Sequence, residues 1–311
     1  MNKRGIKVIL AKPRGFCAGV ERAIDIVNKT LVKYGAPVYV RHEIVHNKYV
    51  VDDLKSRGVI FVDNLDKVPK GGITIFSAHG VSESVEEDAK NKGLPVLDAT
   101  CPLVKKVHLE AARHDKNGME IILIGHAGHP EVEGTSGRVK NKVILVQSKE
   151  DAESIVPKNP DNLAYVTQTT LSVDDTSEII SVLKKRFPNI QGPELKDICY
   201  ATQNRQNAVR NIAKDVDVLL VIGAKNSSNS NRLRDLAEEL GVRSYLINTA
   251  LEISQEMFDK AEVIGITAGA SAPEILLEDV LYRLKSMFNI FIEEQSGLDE
   301  NVKFKLPKEL L

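Results

Sequence analysis

Residues 95–131, PVLDATCPLVKKVHLEAARHDKNGMEIILIGHAGHPE, decide how this 311-residue chain folds. Pro95–Thr100 is short and β-prone. Val104–Asn117 repeats its apolar residues at three- and four-residue steps, as a helix lying on a sheet does. Glu120–Gly125 is a continuous apolar run of strand length that ends in a glycine. A cysteine, Cys101, sits beside the first strand, and His129 stands in the loop after the second.

Moving outward, the same order occurs once before this stretch and once after it. The strands fall into three groups of four. The first is Lys7–Ala11, Pro37–His42, Val59–Asp63 and Ile73–Ala78. The second is Pro95–Thr100, Glu120–Gly125, Val143–Ser148 and Leu163–Gln168. The third is Asp197–Thr202, Val218–Ala224, Ser244–Asn248 and Val263–Gly269. Helical-period segments such as Val20–Tyr34 and Asn207–Asp215 lie between them. Strands alternating with helices predict α/β units with mainly parallel sheets, here three pseudo-repeated domains of four strands each. Limits are expected at 1–95, 96–195 and 196–285, with tight turns near 95 and 195 and a polar C-terminal extension over 286–311.

The chain has only three cysteines, and each lies at or beside the first strand of its group. From Cys17 to His46 is 29 residues, from Cys101 to His129 is 28, and from Cys199 to Ser227 is 28. After the fourth strands come His79, Thr169 and Ser271, at offsets of 62, 68 and 72 from the same cysteines. Ligands of open α/β sheets bind beyond the carboxyl ends of the strands, so these loops are the candidate site.

Composition narrows the function. Forty-two basic against 43 acidic residues give a net charge of −1 and no electrostatic reason to expect nucleic acid or an anionic membrane. The basic run Lys184–Lys185–Arg186 reads as a helix C-terminus. No apolar run approaches the ~20 residues a membrane helix needs, and the N-terminus lacks a signal-peptide pattern, so cytoplasm is the expected location. An odd, low cysteine count is a poor disulfide framework. Three thiolates suit a soft metal centre: zinc, copper(I) or an iron–sulfur cluster. Unligated core thiols are the bland alternative. Structural zinc takes four ligands, often from C-x₂-C pairs that are absent here. A 4Fe–4S cluster held by three cysteines keeps one iron open to substrate oxygen.

His46, His79 and His129, with Ser227, Asn229 and Ser271, offer donors for an anion, and helices beginning just after them add backbone N–H groups. Glu131, two residues from His129, can deliver protons or can merely favour a helix N-terminus. Thr169 can relay a proton, orient a substrate hydroxyl, or be an ordinary strand-end threonine. His108 and His114 fall within a helical stretch and are expected at the surface. The run 226–231, NSSNSN, lacks the P-loop pattern, and no G-x-G-x-x-G follows a strand, so a nucleotide cofactor is not expected.

Jointly, PRGFCAGVERAI, VRHEIVHNKYVVDDL, FSAHGVS, DATCPLVKKVH, GHAGHPEVEGT, TQTTLSVDDT, ICYATQNRQ, GAKNSSNSNRL and TAGASAPE carry a resemblance. Through them the chain resembles the LytB family, reductases of the non-mevalonate isoprenoid pathway. The resemblance implies a trefoil of three α/β domains around one 4Fe–4S cluster bound by Cys17, Cys101 and Cys199. It assigns His46, His79, His129, Ser227, Ser228, Asn229 and Ser271 to a diphosphate, and Glu131 with Thr169 to proton delivery. The implied reaction removes the hydroxyl of 4-hydroxy-3-methylbut-2-enyl diphosphate with two electrons and two protons. Its products are water and isopentenyl and dimethylallyl diphosphates, and its electron donor is a protein such as ferredoxin or flavodoxin. Two rivals keep the cluster: a hydro-lyase acting on a small phosphorylated substrate without net redox, and a non-enzymatic cluster sensor.

Overall fold

Runs such as VLLVI and EIILI carry no alternation of polar and apolar residues, which requires strands covered on both faces. The structure, a computed structural model, describes residues 3–193 and 196–311 and has this architecture. In chain order the elements open with β1 (Gly5–Leu10), α1 (Ala18–Tyr34), β2 (Val38–Arg41), α2 (Lys48–Ser56), β3 (Val59–Val62), β4 (Thr74–Phe76), α3 (Glu83–Asn91) and β5 (Val96–Asp98). Next come α4 (Pro102–Lys116), β6 (Glu120–Ile124), α5 (Pro130–Ser136), β7 (Ile144–Val146), α6 (Lys149–Ser154), β8 (Leu163–Thr167) and α7 (Val173–Arg186). The last are α8 (Tyr200–Ile212), β9 (Val218–Ile222), α9 (Ser228–Glu239), β10 (Arg243–Ile247), β11 (Val263–Ala268), α10 (Glu274–Met287) and β12 (Asn289–Glu294). The Lys184–Arg186 run does end a helix, α7.

The strands form three parallel sheets, ordered β10-β9-β11-β1-β12, β3-β2-β4-β5 and β7-β6-β8. The chain divides into two compact units. One comprises residues 1–18, 46–50 and 200–303 and holds the five-stranded sheet; the other comprises 19–45, 51–199 and 304–311 and holds the other two. In the five-stranded sheet Val218, Leu220 and Ile222 face a core with α10, while Leu219 and Val221 face one with α8 and α9. In the three-stranded sheet Ile122, Ile124 and Tyr165 pack under α7, while Ile121, Leu123 and Val166 pack under α4 and α5. Burying a Leu or Ile side chain contributes about 1.5–3 kcal/mol, so two covered faces stabilise even short strands.

Sheet membership corrects the expected groups of four: the sheets have five, four and three strands. β1, expected with the first group, pairs with β11 from Lys7↔Val263 onward. β5, expected with the second, pairs with β4 from Thr74↔Val96 onward. β5, the strand before Cys101, is thus the edge of the sheet of the preceding repeat, and β1, the strand before Cys17, lies between β11 and β12 in the sheet of the last. Asp197–Thr202 is no strand: Tyr200 begins α8, and the edge beside β8 is a single bridge between Ala164 and Gln191. The Asp197 carboxylate accepts the Thr167 N–H at 3.2 Å, in place of a neighbouring strand's carbonyl. The limit expected at 195 falls on residues 194–195, outside the described residues.

The C-terminal extension is tied down. β12 lies parallel to β1, and an exposed edge strand of this kind leaves no apolar pattern to read. Glu300 pairs with Arg205, and Leu310 is buried. His108 and His114 are not at the surface; each is only 4 % exposed. They share the buried stripe of α4 with Val104, Val107 and Ala111. The His108 ring packs against Gly80 and Gly134, and burial together with nearby Arg138 pushes its pKa down to about 4.

Candidate functional site

Each sheet reverses its strand order between the same two strands. After β2, β6 and β9 the chain goes to one side, to β3, β7 and β10; it then returns to the other side with β4, β8 and β11. Loops at such a switch point diverge and leave a crevice at the strand ends. The candidate residues occupy these loops. His129 is the N-cap of α5 and Ser227 the N-cap of α9, while His46 precedes Asn47, whose Oδ1 accepts the N–H of Val50 in α2. His79, Thr169 and Ser271 follow β4, β8 and β11 within two or three residues.

The cysteines obey the same symmetry. Each immediately precedes, or is the first residue capping, a long helix: Cys17 before α1 by one residue, Cys101 at the N-cap of α4, Cys199 before α8. The Cys17 N–H donates to Ala270 O at 3.2 Å, that of Cys101 to Ala78 O at 3.0 Å and that of Cys199 to Thr169 O at 3.1 Å. Ala270 and Ala78 are the residues just before Ser271 and His79. Every thiol is thus fixed through its own amide to a loop carrying a candidate binding residue. None of the three is in a disulfide, and all are partly exposed. Among the described residues no group of three His, Cys, Asp or Glu is set to hold a single metal ion. Soft donors, one at each of three helix starts, have the chemistry an iron–sulfur cluster takes.

In the first unit, Ser271 Oγ donates to His46 O at 2.9 Å, and His46 Nδ1 lies 3.3 Å from the Asn226 amide nitrogen. Gly223 and Gly269 flank Ser230, where an added Cβ would come within 2.2 and 2.1 Å of its hydroxyl. The absence of side chains there lets the start of α9 approach the ends of β9 and β11. Asn229 is 4 % exposed, and neither Nδ2 nor Oδ1 has a hydrogen-bond partner among the described residues. A buried unpaired amide costs about 1–3 kcal/mol, which a polar ligand would recover. Asn229→Leu is therefore expected to raise the melting temperature while weakening diphosphate binding, read by thermal unfolding and calorimetry. A lower melting temperature would show that the amide has folding partners.

In the second unit, the His79 and His129 rings meet edge to face with centroids 5.8 Å apart. The Glu131 N–H donates to His129 Nδ1 at 3.2 Å, so the proton of that ring sits on Nε2. The Ser77 hydroxyl lies 3.3 Å from His79 Nδ1 and, as donor or acceptor, can meet either tautomer of that ring. Glu131 is 2 % exposed. Its Oε1 accepts the Thr169 N–H at 2.6 Å, and its Oε2 lies 3.0 Å from Thr169 Oγ1. Burial pushes its pKa up to about 7 against those two bonds, with the nearby Asp197 carboxylate adding a smaller push. An amide can only donate, so Oε1 stays an acceptor and the proton belongs on Oε2. The Thr169 hydroxyl can reverse direction and satisfy either protonation state.

Sequence reading missed the supports of this site. Arg205 is fully buried in α8 and donates to Gly15 O at 2.7 Å and Phe16 O at 3.2 Å, holding the loop that carries Cys17. Lys106 reaches the buried Asp197 at 3.3 Å, two residues before Cys199. Arg205 is a charged residue on an amphipathic helix, and nothing in its spacing marks it as inward-facing; Lys106 is exposed and reaches its partner from the surface.

Parallel sheets covered by helices on both faces, with polar loops at their switch points, define a protein of the α/β class. The family described as LytB protein matches residues 8–285, and the chain belongs to it. It is 56 % identical over 308 residues to the 4-hydroxy-3-methylbut-2-enyl diphosphate reductase of Methylococcus capsulatus, covering 98 % of each chain. To the enzyme of that name from Pseudomonas savastanoi it is 57 % identical over 309 residues, again covering 98 % of each. The solved structure of the E-1-hydroxy-2-methyl-but-2-enyl-4-diphosphate reductase from Plasmodium falciparum superposes with a TM-score of 0.93 at 39 % identity, covering 100 % of this chain and 97 % of that one. Among the described residues no helix is long and apolar enough to cross a membrane.

Proposed function

We propose that this protein is an oxidoreductase that removes the hydroxyl of 4-hydroxy-3-methylbut-2-enyl diphosphate, yielding isopentenyl and dimethylallyl diphosphates and water. Full-length identity of 56 % to a reductase of that name supports the substrate, and the buried Glu131 carboxyl, held by Thr169 and pushed up to about 7, is the single observation that carries the chemistry. Cys17, Cys101 and Cys199 would hold one 4Fe–4S cluster, which supplies an open iron for the substrate oxygen and a path for two electrons.

The chain's own residues do the rest. His46, His79, His129, Ser227, Ser228, Asn229 and Ser271 bind the diphosphate, and the helix starts at α2, α5 and α9 add positive potential to it. Fixing the diphosphate fixes the allylic hydroxyl, so binding energy remote from the reacting bond positions that bond. Glu131 Oε2 holds the proton, and Thr169 Oγ1 passes it towards the departing oxygen, which leaves as water. The overall balance takes two protons and two electrons for each hydroxyl lost. The electrons come from a one-electron donor protein such as ferredoxin or flavodoxin.

The test is turnover of 4-hydroxy-3-methylbut-2-enyl diphosphate by anaerobically prepared protein, with reduced methyl viologen and a control without reductant. Product only in the presence of reductant is the expected result. Water loss without reductant would establish a hydro-lyase, and binding without turnover a sensor.

A further inference from the structure

The His79 loop and the helix that starts at His129 come from different sheets, yet their rings touch. Their meeting is fixed at a distance, on the far side of both elements. α5 is a short rod with His129 at its N-cap and Gly137 at its C-cap. Arg138, the next residue, grips the start of α3, four residues past His79. Its Nη1 and Nη2 meet Glu86 Oε2 and Oε1 at 2.8 and 2.6 Å, and Nη2 also donates to Val81 O at 2.6 Å. The Arg138 side chain is 19 % exposed and that of Glu86 43 %.

A second bond runs alongside the first. The Glu83 N–H, in the first turn of α3, donates to Gly137 O at 3.1 Å. Contact here is too close for a side chain: a Cβ on Gly137 would lie 2.1 Å from that of Ser82. Both ends of the clasp thus have fixed geometry. A seven-residue helix is about 10 Å long, so a shift at its C-cap is carried to its N-cap nearly undiminished. Without the clasp the His129 end of α5 tilts against the His79 loop, and two donors that must meet one anion lose their spacing.

We propose that Arg138, through Glu86 and Val81 O, is a positioning residue that sets the spacing of His79 and His129 and thereby the affinity for the diphosphate. It touches no substrate. The planar fork matters as well as the charge, because one guanidinium serves a carboxylate and a carbonyl together, which an ammonium on a flexible stem does less well. The inference rests on His79 and His129 being diphosphate donors.

The experiment measures the dissociation constant of inorganic diphosphate by calorimetry and separates KM from kcat. It uses the holoprotein and the variants Arg138→Met, Arg138→Lys and Glu86→Gln. A loss of alignment of the order of 1 Å costs up to about 100-fold, so Arg138→Met is expected to weaken diphosphate binding and raise KM about 10-fold or more, with kcat changed less than about threefold. Arg138→Lys should recover part of that loss. Glu86→Gln, which keeps the bond to Val81 O, should fall between wild type and Arg138→Met. Should Arg138→Met fail to fold, the partly exposed Glu86 position carries the same test. Wild-type affinity in the folded variants would overturn the inference, as would a fall in kcat at unchanged KM. If wild type itself does not bind diphosphate, the donor assignment fails, and the positioning role fails with it.

Discussion

Replacing Glu131 by Gln is expected to lower turnover by about 10²–10⁴-fold, the usual contribution of a positioned general acid. Cluster absorbance and diphosphate affinity should stay near those of wild type. The substitution is nearly isosteric. The glutamine carbonyl can still accept the Thr169 N–H that Glu131 Oε1 accepts at 2.6 Å, and its amide can donate to the threonine hydroxyl. What it removes is the proton on Oε2. Unchanged turnover would end the acid assignment. The same carboxyl sets a pH dependence. Burial pushes its pKa up to about 7, so the acid form is present below that pH and is lost as pH rises through it. Turnover limited by this proton should therefore fall about tenfold per unit above pH 7, with the fall absent in Glu131→Gln. The elevated value also means that the carboxyl favours the folded state most strongly in acid, a contribution lost as pH rises from the ordinary glutamate range through about 7.

The other large effect concerns the thiols. Cys101→Ser is expected to abolish iron and acid-labile sulfide retention and, with them, reductant-dependent turnover. Folding should survive, for a reason specific to this position. Cys101 is the N-cap of α4, where serine is among the best residues, and its amide keeps its bond to Ala78 O. A melting temperature at or above that of wild type, together with lost iron, would separate the ligand role from a structural one. Full retention of iron and sulfide in Cys101→Ser would exclude this cysteine as a ligand. Cys17→Ser and Cys199→Ser should behave alike, since each thiol stands at an equivalent helix start. The substitution exchanges a soft donor for a hard one and changes little else.

These expectations differ in how far they could be read before the structure. The threefold order was legible because strands and helices differ in apolar period, and because cysteines and polar loops recur at nearly constant offsets. His46, His129 and Ser227 were found as equivalents, and the structure puts all three at helix starts after the central strands β2, β6 and β9. The assignment of strands to sheets was not legible. β1 and β5 each look like the beginning of a repeat, but β5 pairs with β4, the strand just before it, and β1 with β11, near the other end of the chain. Pairing is decided by which strand lies alongside, and period alone carries no information about that. β12 left no pattern because this edge strand packs only Ile290, in part, against the core.

By itself, then, the sequence determined the α/β class, the repeating unit, the family and the residues with chemical potential. Those follow from local periodicity, residue type and spacing. Tertiary structure alone decided three further matters. It selected which strand joins each sheet. It buried Glu131, and that burial pushes the carboxyl up to about 7 against the two bonds from Thr169. It also turned Arg205, Arg138 and His108 inward, where they hold the loops of the site. The physical reason is the same in each case. Desolvation, and the partners that offset it, depend on what folds over a residue from a distant part of the chain.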